Sequence, residues 1–124
     1  MKRGEIWWAD LGVYRPREQT GRRPVVVWQS DTLTRALQSV LIVPLTTNLD
    51  RARLAGTAII EASENGLSQT SVALAFQMRA IPKACLLDRV RNLTENEIGE
   101  LELATDEALG RVEPEADGMT SDDR

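Results

Sequence analysis

The sequence predicts a mainly β protein with helices, a small barrel or sandwich of short strands with one helix at its C-terminal end. Three observations predict it. The chain has 124 residues, 42% hydrophobic and 27% charged, which is one domain with one modest core and a composition close to the globular averages. Short segments rich in β-branched and aromatic residues follow one another, separated by Gly, Pro, Asn and Asp, the pattern of a barrel or sandwich. Only one segment carries a sustained helical period, and it comes after all the strands.

Glu5-Ile6-Trp7-Trp8-Ala9-Asp10-Leu11 is rich in β-formers and stops at Gly12, so it is the first strand. Residues 12–23 hold Gly, Pro, polar groups and four arginines, Arg15, Arg17, Arg22 and Arg23, and are expected to form a mobile basic loop. Pro24 opens a second strand through Val25, Val26, Val27, Trp28 and Gln29, because the first residue of a strand can lack a ladder donor. Residues 31–38 fit a short helical turn capped by Ser30 or Asp31. Val40-Leu41-Ile42-Val43 is apolar on both faces, which marks a strand buried on both sides, and Pro44 is expected to end or bulge it.

Thr46-Thr47-Asn48 emerges at that strand's end, and residues 49–56 form a loop with Arg51 and Arg53. Strands follow at Thr57-Ala58-Ile59-Ile60, Ser71-Val72-Ala73-Leu74-Ala75 and Leu86 to Val90, with a turn at Glu64-Asn65-Gly66. Arg79-Ala80-Ile81 is a short strand and Pro82-Lys83-Ala84 a turn. Thr94-Glu95-Asn96-Glu97 matches a capping box, after which Ile98, Leu101, Ala104, Thr105, Ala108 and Val112 recur at helical spacing. That helix is expected to pack across the strands. Periodicity is lost from Glu113, so residues 1–112 form the domain and 113–124 a disordered acidic tail.

Zero histidines exclude Ser-His-Asp, Cys-His and paired-histidine nuclease chemistry, since histidine is the usual proton shuttle near neutral pH. With one cysteine besides, a zinc site within the chain is not expected, and neither is an internal disulfide; a carboxylate site for magnesium stays open. The longest apolar run, Val40 to Leu45, is far short of the roughly 20 residues of a membrane span. The N-terminus leads into too little apolar sequence for a secretory signal, so the cytoplasm is the expected compartment.

The net charge of −4 conceals a division. Residues 1–91 carry 13 basic against 8 acidic side chains, a balance of +5, and residues 92–124 carry 2 against 11, a balance of −9. A basic body beside an acidic end suits a nucleic-acid surface, and a solvated helix with a loose tail gives the same arithmetic. Arg23 stands immediately before a rigid strand, where a guanidinium suits phosphate oxygens or an ordinary surface ion pair. Thr46 places a hydroxyl where a buried strand surfaces, for a ligand or for a turn.

These residues converge on a family. Lys2-Arg3-Gly4-Glu5-Ile6-Trp7-Trp8-Ala9-Asp10-Leu11, Glu18-Gln19, Gly21-Arg22-Arg23-Pro24-Val25-Val26-Val27, Val43-Pro44-Leu45-Thr46-Thr47-Asn48, and Ser71-Val72-Ala73-Leu74 with Gln77-Met78-Arg79 resemble the MazF/PemK toxins of bacterial toxin–antitoxin pairs. The resemblance runs from about residue 2 to 110, in matching order and spacing. It implies a compact SH3-like β-barrel with helices, forming a homodimer that cleaves single-stranded RNA, mRNA included, at short sequences without metal or other cofactor. It implies Arg23 and Thr46 as the catalytic pair and Glu18 as the loop glutamate. It also implies a co-expressed antitoxin whose acidic peptide segment lies over the same loops. Family members carry an acidic residue where this chain has Thr70 and often a polar one where it has Phe76, departures that bear on base specificity.

RNA supplies its own nucleophile, the 2′-OH, so the protein must assist proton removal, stabilise the extra negative charge and help the 5′ oxygen leave. Arg23 suits the developing dianion, because neutral arginine is scarce. Thr46 would hydrogen-bond the scissile phosphate, and Glu18 would take the 2′ proton. Arg15, Arg17 and Arg22, with Arg51 and Arg53 across a cleft, would add sequence-independent phosphate affinity; Gln19 belongs to the same loop. Gln77, Thr47 and Asn48 have edges suited to splayed-out bases. Trp7, Trp8 and Trp28 are expected in the core or a dimer interface, and Cys85 as a small buried hydrophobe. A second functional class is a non-catalytic toxin on the same barrel that poisons a topoisomerase by protein contact.

Overall fold

In the computed structural model, residues 1–12 and 21–114 are described. The strands are β1 (Glu5–Asp10), β2 (Arg22–Val27), β3 (Ser39–Thr46), β4 (Thr57–Ile60), β5 (Ser71–Leu74), β6 (Arg79–Pro82) and β7 (Leu86–Asn92). The helices are α1 (Asp31–Ala36) and α2 (Glu95–Ala108), and short 3₁₀ turns span Leu49–Arg53, Ala75–Gln77 and Lys83–Cys85. Every expected strand is present. The ladders are antiparallel in the order β4-β5-β3-β2-β1-β7, with β6 also paired to β3. No helix among the described residues is long and apolar enough to cross a membrane.

β3 organises the sheet. One edge pairs with β2, and the other with β6 at Ser39–Ile42 and then with β5 at Leu45–Thr46. Pro44 was expected to end or bulge this strand; instead β3 runs through it. The Trp28 N–H donates to the Leu41 carbonyl at 3.0 Å, so the hydrogen-bonded positions facing β2 are Leu41 and Val43, and Pro44 turns its ring nitrogen the other way. There it meets the gap between the β6 and β5 ladders, where no donor is needed. Side chains of β2 and β3 alternate between two cores, as a strand buried on both faces requires. Val26, Val43 and Leu45 join Ile6, Leu101 and Ala104, while Val25, Val27, Val40 and Ile42 join Ala9 and Ile81.

β2 begins at Arg22, so Arg22 and Arg23 are strand residues rather than loop residues, paired with Asp10 and Ala9. Leu11 N–H donates to Gly21 and Gly21 N–H to Gly12, at 2.8 and 3.0 Å, carrying the hairpin two residues further. β7 likewise extends two residues past Val90, because Arg91 and Asn92 find partners in Ile6 and Glu5. Ser30 rather than Asp31 caps α1, accepting from the Leu33 N–H at 3.3 Å.

The capping box of α2 is complete. Thr94 Oγ1 accepts from the Glu97 N–H at 3.1 Å, and Glu97 Oε1 accepts from the Thr94 N–H at 2.9 Å. The helix stops at Ala108, short of Val112, because Gly110 takes a φ of 75°. Gly110 and Arg111 then donate back to Glu107 and Asp106 at 3.2 and 2.8 Å, a closure that leaves Val112 exposed. Leu101 and Ala104 are buried against the sheet, and the Trp28 indole N–H donates to Thr105 Oγ1 at 2.9 Å. The expected tail lies almost wholly outside the described residues.

Glu97 also does more than cap. The residue is 4% exposed, and its carboxylate accepts from Arg91 Nη1 at 2.8 Å, Arg91 Nη2 at 3.0 Å and the Glu61 N–H at 3.0 Å. Burial alone would push this carboxyl up, but the bonds from Arg91, Thr94 and Glu61 together outweigh it and hold it below the ordinary carboxylate value. A depressed folded-state value contributes stability that is complete above the unfolded carboxyl's pKa and lost as pH falls through the folded one. Urea midpoints are therefore expected to fall on acidification below about 4.5, and less steeply in a Glu97→Gln variant. A variant whose acid slope equals that of the parent would contradict this assignment.

Candidate functional site

The N-terminal end of β2, the C-terminal end of β3 and the segment leading into β5 meet at one end of the sheet. The last pair of the β2–β3 ladder is Val25 with Pro44. Pro24 has no N–H to offer Leu45, so the ladder ends there. The same register carried two residues further sets Arg23 opposite Thr46, on the face that Val25 and Pro44 share. The two residues expected to act as a pair therefore leave the same side of the sheet from adjacent strands.

Each is held by its element. Arg23 is half-buried and its backbone pairs with Ala9, a residue with no exposed surface. Thr46 is 8% exposed and its Oγ1 accepts from the Asn48 N–H at 3.2 Å. The hydroxyl thus forms the turn, and its own proton remains available to a ligand. Asn48 Oδ1 accepts from the Asp50 N–H at 3.2 Å and caps the 3₁₀ turn Leu49–Arg53. That bond commits the carbonyl side of the Asn48 amide to the backbone.

A groove of about 180 Å³ opens at this end of the sheet, walled by Trp8, Arg22, Arg23, Pro24, Thr47 and the segment Leu67 to Gln69 with Ser71; Arg23 lines it and Thr46 does not. Thr47, one of the residues expected to face a base, is exposed on it. Arg51, Arg53, Asn48 and Gln77 do not line it, so the two arginines are not across this groove. Gln77 ends the 3₁₀ turn between β5 and β6 and is half-buried. Arg15, Arg17, Glu18 and Gln19 lie outside the described residues, between Gly12 and Gly21.

Two residues gain importance that the sequence reading did not give them. Trp8 was expected in the core or an interface, and the structure puts Trp28 in the core, Trp7 half-buried and Trp8 41% exposed on the groove. The alternation of β1 carried that signal, since Ile6 and Trp8 share a face and the core ends at Ile6. Arg79 pairs in register with Ile42, which puts it on the same face as Thr46. It lines a cavity of about 430 Å³ with Asp10, Gly12 and Cys85.

A larger cavity, about 520 Å³, lies at the start of α2 around Arg91 and Glu97. Its charges already neutralise each other, so it offers structure rather than chemistry. Among the described residues no three His, Cys, Asp or Glu side chains gather where a metal ion could sit.

The arrangement has known counterparts. A family model described as a PemK-like, MazF-like toxin of type II toxin–antitoxin systems matches residues 2–109. The sequence is 33% identical over 110 residues to the endoribonuclease MazF of Staphylococcus saprophyticus, covering 89% of this chain and 92% of that protein. It is 30% identical over 113 residues to the endoribonuclease EndoA of Bacillus subtilis, covering 91% and 97%. A solved endoribonuclease in complex with its cognate antitoxin, from mycobacterial species, matches with a TM-score of 0.74 at 22% identity, over 92% of this chain and 99% of that one. That last likeness is one of fold.

Proposed function

The chain belongs to the family of PemK-like, MazF-like toxins of type II toxin–antitoxin systems, and on that premise we propose that it is an endoribonuclease that cuts single-stranded RNA, mRNA included, at short sequences without a metal ion. The observation that carries the reading is the placement of Arg23 and Thr46 at facing ends of β2 and β3 on one side of the sheet.

The reaction is an internal transfer. The ribose 2′ oxygen loses its proton and bonds to the adjacent phosphorus, and the bond from phosphorus to the 5′ oxygen of the next nucleotide breaks. That oxygen takes up a proton, so the products are a 2′,3′-cyclic phosphate and a free 5′-OH. The nucleophile is already tethered to its target, which supplies the proximity that a metal-bound water would otherwise provide. Arg23 donates to the phosphate oxygens as charge accumulates on them. Thr46 donates its hydroxyl proton to the same phosphate, and Glu18 takes the 2′ proton. Arg15, Arg17, Gln19 and Arg22 hold the strand, and Thr47, Asn48 and Gln77 face its bases.

The same reading covers assembly and control. The sheet is an SH3-like barrel that works as a two-fold homodimer, and a cognate antitoxin lays an acidic segment over the basic loop in the cytoplasm. Support comes from the relative solved with its antitoxin and from the arginines of residues 15–23.

Incubation of the purified chain with a long unstructured RNA in excess EDTA is expected to give discrete fragments. Their 3′ ends should carry cyclic phosphate and their 5′ ends should accept label from polynucleotide kinase without prior dephosphorylation. Cleavage only on adding magnesium, or fragments with 5′-phosphates, would refute the mechanism.

A further inference from the structure

The three tryptophans differ in how their indole N–H groups are used. Trp7 donates to Glu5 Oε1 at 3.0 Å and Trp28 to Thr105 Oγ1 at 2.9 Å. Trp8, 41% exposed, has no hydrogen-bond partner among the described residues. Trp8 lines two cavities, one of about 180 Å³ that also reaches Thr47 and Gln69 and one of about 330 Å³ that also reaches Leu87 and Asp88. Arg22 lines both. In register, Trp8 sits between Pro24 of β2 and Asp88 of β7, so the three form one row across the sheet.

The charged side chains around this row are uncommitted. Asp88 and Arg22 are exposed, and the side chain of neither makes a hydrogen bond or ion pair with any described residue. Elsewhere on β7 the charges are matched, Arg89 with Glu5 at 3.0 Å and Arg91 with Glu97 at 2.8 Å. An aromatic side chain bordered by two cavities, an arginine that lines both and a carboxylate in the second meet the needs of two consecutive nucleosides of a single strand.

We propose that Trp8 is the stacking platform that separates two successive bases of the bound RNA, and that Asp88 selects the base in the second cavity. The inference rests on the ribonuclease reading above and names residues that decide its specificity. A carboxylate only accepts hydrogen bonds and repels phosphate, so Asp88 faces a base edge and Arg22 the phosphate between the two bases. Cytosine, adenine and guanine present an amino group to such an acceptor, whereas uracil presents one ring N–H between two carbonyl oxygens. Uracil is therefore disfavoured beside Asp88.

The test uses the full chain, an RNA with one randomised stretch for cleavage, and 2′-O-methyl RNA of the preferred sequence for binding. Trp8→Ala is expected to weaken binding of the 2′-O-methyl strand about tenfold or more, the usual effect of removing one stacking ring, while Trp8→Phe retains most of it. Asp88→Ala is expected to narrow the discrimination against uracil at one position of the cleavage site about tenfold, read as the ratio of cleavage rates for the uracil-bearing and original sequences, because the preferred base loses the hydrogen bond that uracil never made. Unchanged binding by Trp8→Ala, or an unchanged base preference in Asp88→Ala, overturns the proposal. So does conversion of Trp8→Ala to a monomer in sedimentation, which would make the ring part of an interface between copies. Should the unmutated chain neither bind nor cut RNA, the ribonuclease reading itself fails, whatever the variants do.

Discussion

Arg23→Ala is expected to slow RNA cleavage about a hundredfold or more, equivalent to roughly 3 kcal/mol of transition-state stabilisation, the scale of a lost oxyanion donor. The effect should fall on the chemical step, because the guanidinium is needed most when the phosphate carries its extra charge. The fold should survive, since the backbone pairing of Arg23 with Ala9 does not involve the side chain. Arg23→Lys keeps the charge but loses the planar fork, so its single-turnover rate should lie between the two. Single-turnover kinetics on a short RNA, with circular dichroism to verify folding, measure both. A rate for Arg23→Ala within twofold of the parent would move the site elsewhere.

The second large effect concerns the loop that both partners are proposed to share. Reversing Arg15 and Arg17 to Glu replaces two cations by two anions a few residues before Arg22 and Arg23 in the sequence. RNA affinity should drop by about one to two orders of magnitude at moderate salt, and the slope of log affinity against log salt should flatten by about two. An acidic antitoxin segment, whose carboxylates stand in for phosphates, should suffer in the same direction. In the proposed mechanism Thr46→Ala should abolish cleavage yet leave antitoxin affinity intact, because the proton its hydroxyl donates is directed to the reacting phosphate. Fluorescence anisotropy with labelled RNA and labelled antitoxin peptide separates these outcomes. A charge-reversed loop that loses RNA but keeps full antitoxin affinity would place inhibition on another surface.

Local patterning made much of this legible in advance. The capping box at Thr94 and Glu97 was visible because its two hydrogen bonds span three residues, and the doubly buried β3 because both faces of Val40 to Val43 are apolar. The charge division was plain arithmetic. Arg23 could be singled out because Pro24 follows it and fixes the chain there. In each case the cause and the consequence lie within a few residues, so no knowledge of the rest of the chain was needed.

Other features depended on partners distant in sequence. Pro44 stays inside β3 only because two different strands share that edge and leave a gap opposite its ring nitrogen. Arg22 and Arg23 become strand residues because Asp10 and Ala9 supply a ladder, and β7 lengthens because β1 continues beside it. Trp8 looks like core by composition, yet two residues past the fully buried Ile6 on the same face of β1 it is 41% exposed. Sequence by itself determined the kind of protein, its elements and the residue types able to handle a phosphate. Tertiary structure alone decided which of those residues face one another, because cross-strand register depends on pairings between segments far apart in the chain, and local pattern carries no record of those pairings.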